Sequence, residues 1–89
     1  MALNFLNNGY FAGNATFASA VYIPSYIYHT GDTNTLFGFA GQDIFIVNTG
    51  GGRRLTVTNT EATFENNLIV DGNVGIGTTS PGNRLRIDA

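Results

Sequence analysis

The sequence predicts an all-β fold, built of short strands and hairpins in an elongated segment. Three observations carry that expectation. Helix-favouring residues are scarce: lysine is absent, while Gly, Asn and Thr recur throughout, and those three disfavour helix interiors. Apolar residues alternate with a period of two, the spacing of a half-buried strand. Clusters of Gly, Asn, Asp and Pro separate the alternating runs, as the turns of an all-β chain require.

The runs follow in order. FASAVYI (17–23) places Phe17, Val21 and Ile23 on one face of a strand. YIYHT (26–30) sets Tyr26 and Tyr28 opposite Ile27, and LFGFA (36–40) pairs Phe37 with Phe39 across Gly38. DIFIVN (43–48) is a continuous apolar run, expected of a strand covered on both faces. RLTVTNT (54–60) alternates, with Leu55 and Val57 inward and Arg54, Thr56 and Thr58 outward. RLRID (84–88) repeats the pattern with Leu85 and Ile87. Turns are expected at Pro24-Ser25, Thr30-Gly31-Asp32, Gly41-Gln42-Asp43 and from Asn48 to Gly52. Asp71-Gly72-Asn73 reads as a two-residue hairpin turn, because Asp, Gly and Asn tolerate positive φ.

In VDGNVGIGTTSPGNRLRID (70–88), glycines interrupt valine and isoleucine. Either register of the hairpin puts Ile69 on one face with Val74 and Ile76, and puts Gly75 and Gly77 on the other. Glycine there leaves a shallow groove that another backbone or side chain can fill. RRLTVTNT and NRLRIDA are related strand units, and NNGYFAGNATF and NNLIVDGNVGI share an Asn-Asn start and a Gly-Asn. Such units bury the faces their neighbours expose, and the pattern is expected to belong to a longer array.

At 89 residues the chain offers one small core, and a lone domain of that size is marginal because it buries only about 60–65% of its unfolded surface. Small chains compensate with disulfides, metals or assembly. With no cysteine and only His29 among histidines, disulfides and thiolate metal sites are excluded, which leaves assembly. A net charge of −2 gives no attraction to nucleic acid or an anionic membrane. No apolar run is long enough for a membrane helix, and MALNFLNNGYF lacks the basic and apolar regions of a signal peptide.

GNVGIGTTSP (72–81) followed by NRLRID (83–88) resembles a repeat common in bacteriophage tail-fibre and related virion fibre proteins. The stretch from Tyr26 to Val57, in which an aromatic Gly-Phe strand leads to TGGGRRLTV, resembles the segment that often precedes that repeat, so the likeness covers residues 26–88. It implies a homotrimeric, intertwined β fibre segment of the virion, structural or presenting a host-receptor-binding tip, with other virion proteins as partners. Three segments result: 1–25, an N-terminal strand segment for attachment or capping; 26–60, an aromatic β segment; and 61–89, the fibre repeat. Many such fibres end in a chaperone domain that cleaves itself with a serine and a lysine, an activity excluded here because the chain has no lysine. Arg53 stands where the family often has Glu, so no ion pair is carried over to that position. Near a threefold axis only small residues fit three abreast, which makes Ile69, Val74, Gly75, Ile76, Gly77, Leu85 and Ile87 the candidate trimer-packing residues.

The sequence assigns no catalytic residue, cofactor or metal. GNVGIG has the wrong glycine order for a dinucleotide fingerprint, and Pro81-Gly82 bars a following helix. TGGGRR lacks the Gly-Lys-Ser/Thr of a P-loop, and Gly82 stands where a calcium loop starting at Asp71 needs Glu. Asn14-Ala15-Thr16 is a glycosylation sequon that this composition produces by chance. His29 and Asp32 read as a bonded turn rather than an acid–base pair, and Glu61 and Glu65 as a solvated strand face rather than the carboxylate pair of a weak glycosidase. The aromatic group Tyr22, Tyr26, Tyr28, Phe37 and Phe39 fits a core or subunit interface. Its alternative is a carbohydrate-binding adhesion module in which Tyr26 and Tyr28 stack on a host-surface glycan. A capsid-attached fibre or decoration protein is the alternative to the tail.

Overall fold

The computed structural model describes residues 9–88. Among these the structure is all-β, with seven strands in two sheets and no helix. A five-stranded antiparallel sheet runs in chain order through β1 (Tyr26–His29), β2 (Asp32–Gly41), β3 (Ile44–Thr49), β4 (Gly52–Val57) and β5 (Ala62–Phe64). It continues past residue 60 into the segment that resembles the fibre repeat. β6 (Val74–Ile76) and β7 (Leu85–Ile87) form a separate two-stranded sheet.

Consecutive hairpins follow from the turn residues. Between β3 and β4, Gly50 and Gly51 have φ of 59° and 78°, the two positive values of a turn whose twist matches its flanking strands. The tip also bonds sideways, Gly51 N–H donating to Asn34 O at 2.9 Å. Gly31 (φ 80°) and Asp43 (φ 61°) supply the positive φ of the β1–β2 and β2–β3 turns, and Asp is among the few side chains that tolerate it. The β3–β4 register slips between Val47 and Asn48, so that Asn48 faces Arg53 and Arg54 is the extra residue. Its guanidinium is anchored by Thr49 Oγ1 (3.0 Å), Thr49 O (3.1 Å) and Asn66 Oδ1 (3.0 Å).

Gly38 lies inside β2 rather than at a turn, with φ of 154°, a conformation that L side chains rarely adopt. A Cβ there would overlap the carbonyl oxygen of Ser25. That carbonyl accepts the Phe39 N–H at 2.7 Å, so glycine lets the chain entering β1 lie close on β2.

Three strand expectations differ from the structure. Residues 17–23 form no strand, and none occurs anywhere in 9–25. Most side chains there stand in solvent, Tyr22 at 93% exposure, and among the described residues the segment's backbone bonds the sheet through Ser25 O at its end. The DIFIVN run is not covered on both faces: Ile46 is buried, whereas Phe45 and Val47 on the opposite face are only half-buried. The hairpin at Asp71-Gly72-Asn73 does not form. Residues 68–70 carry no strand, Ile69 is 88% exposed, and β6 pairs with β7 in parallel instead.

The chain does not close a core around itself. Ile46 is the only buried apolar side chain among the described residues. The chain exposes 7924 Å², where a compact protein of its mass would expose about 5,000 Å². Its radius of gyration is 18.6 Å, against ~12 Å for a compact chain of this length.

Candidate interaction surface

The sheet has two unlike faces, fixed by register. Across one face runs the row Tyr26, Gly38, Ile46, Thr56 and Thr63, one residue from each strand. Across the other runs Ile27, Phe37, Val47, Leu55 and Phe64, flanked by a second row of Phe39, Phe45, Val57 and Ala62. Every residue of these two rows is apolar. Phe45 packs against Phe37 and Phe39, with ring centroids 6.4 and 6.0 Å apart. Ile27, Phe37, Phe39 and Phe64 remain exposed, Phe64 by half.

This placement revises the expected facing of β4. Thr56, expected outward, pairs with Ile46 on the face that holds the buried residue. Its Oγ1 is buried with no hydrogen-bond partner among the described residues, and so is Asn48 Oδ1. Leu55 and Val57, expected inward, belong to the open apolar face. The aromatic group is split as well. Tyr26 and Tyr28 meet edge to face at 6.0 Å on one side of the sheet, whereas Phe37 and Phe39 lie on the other, and Tyr22 lies outside it. No single aromatic platform forms from these five residues.

The candidate trimer-packing residues are divided in the same way. Val74, Ile76, Leu85 and Ile87 are brought onto one face of the β6–β7 pair, with Val74 opposite Leu85 and Ile76 opposite Ile87. Ile76, Leu85 and Ile87 are exposed and Val74 is half-buried. Ile69 lies outside the pair. Gly75 and Gly77 do not form a groove for a neighbouring chain. A Cβ on Gly75 would come within 2.6 Å of Thr78 O, and one on Gly77 would overlap Asp88 O. Both glycines are used up by the chain's own backbone, Gly75 by the returning loop at Thr78 and Gly77 by Asp88, the residue that follows β7. Val74 N–H donates to Arg84 O at 2.7 Å and Asp88 N–H to Ile76 O at 2.5 Å. Asn73 Nδ2 bonds Pro81 O at 3.1 Å, and Ser80 N–H bonds Thr78 Oγ1 at 3.2 Å.

The polar candidates are dispersed. His29 Nδ1 lies 3.4 Å from Asp32 Oδ2, which also accepts from Thr35 Oγ1 at 2.8 Å, so the pair forms a bonded turn in solvent. Glu61 and Glu65 are exposed and flank the two ends of β5. Arg86 pairs with Asp88 at 3.2 Å. Among the described residues no three His, Asp or Glu side chains gather where a metal ion could be held.

The feature that sequence reasoning missed is the open face. Its signal lies in parity. In the paired central stretches of β1 to β4, positions 27, 37, 39, 45, 47, 55 and 57 are all apolar, and the register shift beside each of the first three hairpins keeps these odd positions on one side. Comparison with protein-family models, with curated proteins and with solved structures found no match.

Proposed function

We propose that this chain is a structural segment of a bacteriophage fibre, assembled as a homotrimer and without enzymatic activity. Its role is mechanical: to hold shape and spacing in the virion, in the tail fibre, and to carry a host-binding tip where it ends one. The sequence from Tyr26 to Asp88, with its GNVGIGTTSP motif, supports the fibre reading. The observation that carries the assembly is the open surface of the isolated chain, roughly 7900 Å² around one buried apolar side chain. Apolar surface in contact with water costs about 25 cal/mol per Å², so a chain this open is completed by other chains.

Light scattering on the purified protein tests the reading. The expected mass is three times the 9.5 kDa of one chain. A folded species of one chain mass, stable across micromolar dilution, would overturn it.

A further inference from the structure

We infer that the phenylalanine face of the five-stranded sheet is the contact between copies of this chain, so that a second copy is its occupant. The inference rests on the assembly reading above, and it moves the contact from the glycine-spaced C-terminal pair to the sheet.

Three observations select this occupant. The first is area. Phe37, Phe39 and Phe64 are each about half exposed, and a Phe side chain offers on the order of 200 Å², so these three supply roughly 300 Å². With Ile27 and the half-buried neighbours, the open apolar area reaches about 500 Å². That is the apolar share of a standard interface of about 800 Å² per partner.

The second is shape. The Phe37–Phe45–Phe39 cluster stands between two hollows on the same face. One, of about 340 Å³, has Ile27, Phe37 and Val47 in its lining. The other, of about 390 Å³, lies by Phe39, Phe45 and Val57. Ridge and hollow on one surface let each copy seat its ridge in the next copy's hollow, a head-to-tail contact that can close into a ring of three.

The third is chemistry. The two rows hold no charged or hydrogen-bonding side chain, which is the character of an obligate interface rather than a passing encounter. The chain has no core of its own to fall back on, and the partner always present at its synthesis is another copy of itself.

The C-terminal pair lacks these properties. Its strands are three residues long, and its apolar face holds four side chains, Val74, Ile76, Leu85 and Ile87, against nine on the sheet.

Two kinds of variant test the face. Phe39→Asp is expected to reduce the light-scattering mass to that of one chain, whereas Ile76→Asp leaves it unchanged. Cross-linking supplies a second measurement that does not depend on how Phe39→Asp folds. The native chain has no cysteine, so Phe64→Cys and Tyr28→Cys each introduce one reactive thiol, on opposite faces of the sheet. A short bis-maleimide is expected to couple Phe64→Cys chains in high yield and Tyr28→Cys chains at least tenfold less. A multi-chain mass with equal coupling of both variants, or one that Ile76→Asp abolishes and Phe39→Asp does not, would overturn the face and leave the assembly standing. A one-chain mass for the unsubstituted protein would overturn both.

Discussion

The five-stranded sheet and the C-terminal β6–β7 unit spend their glycines differently. In the sheet, Gly31, Gly50 and Gly51 stand at hairpin tips and supply positive φ. In the C-terminal unit, Gly75 and Gly77 stand where the chain crosses itself, and carbonyl groups occupy the space a Cβ would need. The contrast reflects topology. Antiparallel neighbours need special backbone chiefly at their corners, because two residues can join them, with Gly38 inside β2 the exception. Parallel neighbours normally need a dozen or more connecting residues, yet here residues 77–84 alone link β6 to β7. The connection folds close because Gly75 leaves room for Thr78 and Pro81, and Gly77 leaves room for Asp88 where the chain runs out of β7. Glycine spacing that looks like room for a sister chain is therefore room for the chain's own return.

The largest test of this contrast is Gly38, the glycine inside a sheet strand that combines positive φ with a close carbonyl. Gly38→Ala is expected to destabilise the assembled protein by about 3 kcal/mol, the sum of backbone strain and the displacement of Ser25. The urea midpoint reads this, and a change below about 0.5 kcal/mol would mean that the close approach is not needed.

Gly77→Ala sharpens the comparison from the other side. Its φ of 76° and the nearby Asp88 carbonyl predict a local loss, about 2 kcal/mol in size. Hydrogen exchange should show lost protection at the Val74 and Asp88 amides, with the Phe39 and Gly51 amides unchanged. Equal loss in both regions would mean that the two sheets unfold as one unit.

Arg54→Ala has the smallest expected effect. The guanidinium ties the β3–β4 turn to Asn66 through exposed hydrogen bonds, which are worth about 1 kcal/mol together. A shift in thermal midpoint of more than ~8 °C would show that the bulge, rather than the side chain alone, depends on it.

The sheet was largely legible in the sequence. Alternation located β1, β2 and β4, the continuous apolar run located β3, and the loop signal from Asn48 to Gly52 contains the Gly50-Gly51 corner. Pairing partners were harder to read. Asp71-Gly72-Asn73 satisfies the local chemistry of a hairpin, but the alternative pairing of Val74 with Leu85 is stabilised by bonds from Asn73 and Ser80 that no period reveals. RRLTV and NRLRI likewise look alike, yet one lies between antiparallel strands and the other in a parallel pair. Facing was misread at Thr56 for a related reason. Polarity usually marks the outside, but this sheet turns its apolar rows to the open side, as the proposed contact between copies requires.

The margins of the sheet carry a final consequence. At one margin β1 is four residues long, and its register breaks between Tyr28 and His29; at the other, β5 is three residues long. Short or kinked borders give an incoming strand too few unpaired amides to zip onto. Lateral growth into an endless ribbon is thereby disfavoured, and stacking of broad sides is the route left open. Only one broad side is apolar, so association by the proposed route stops once that side is covered, and the architecture favours a particle of countable chains over an open-ended aggregate.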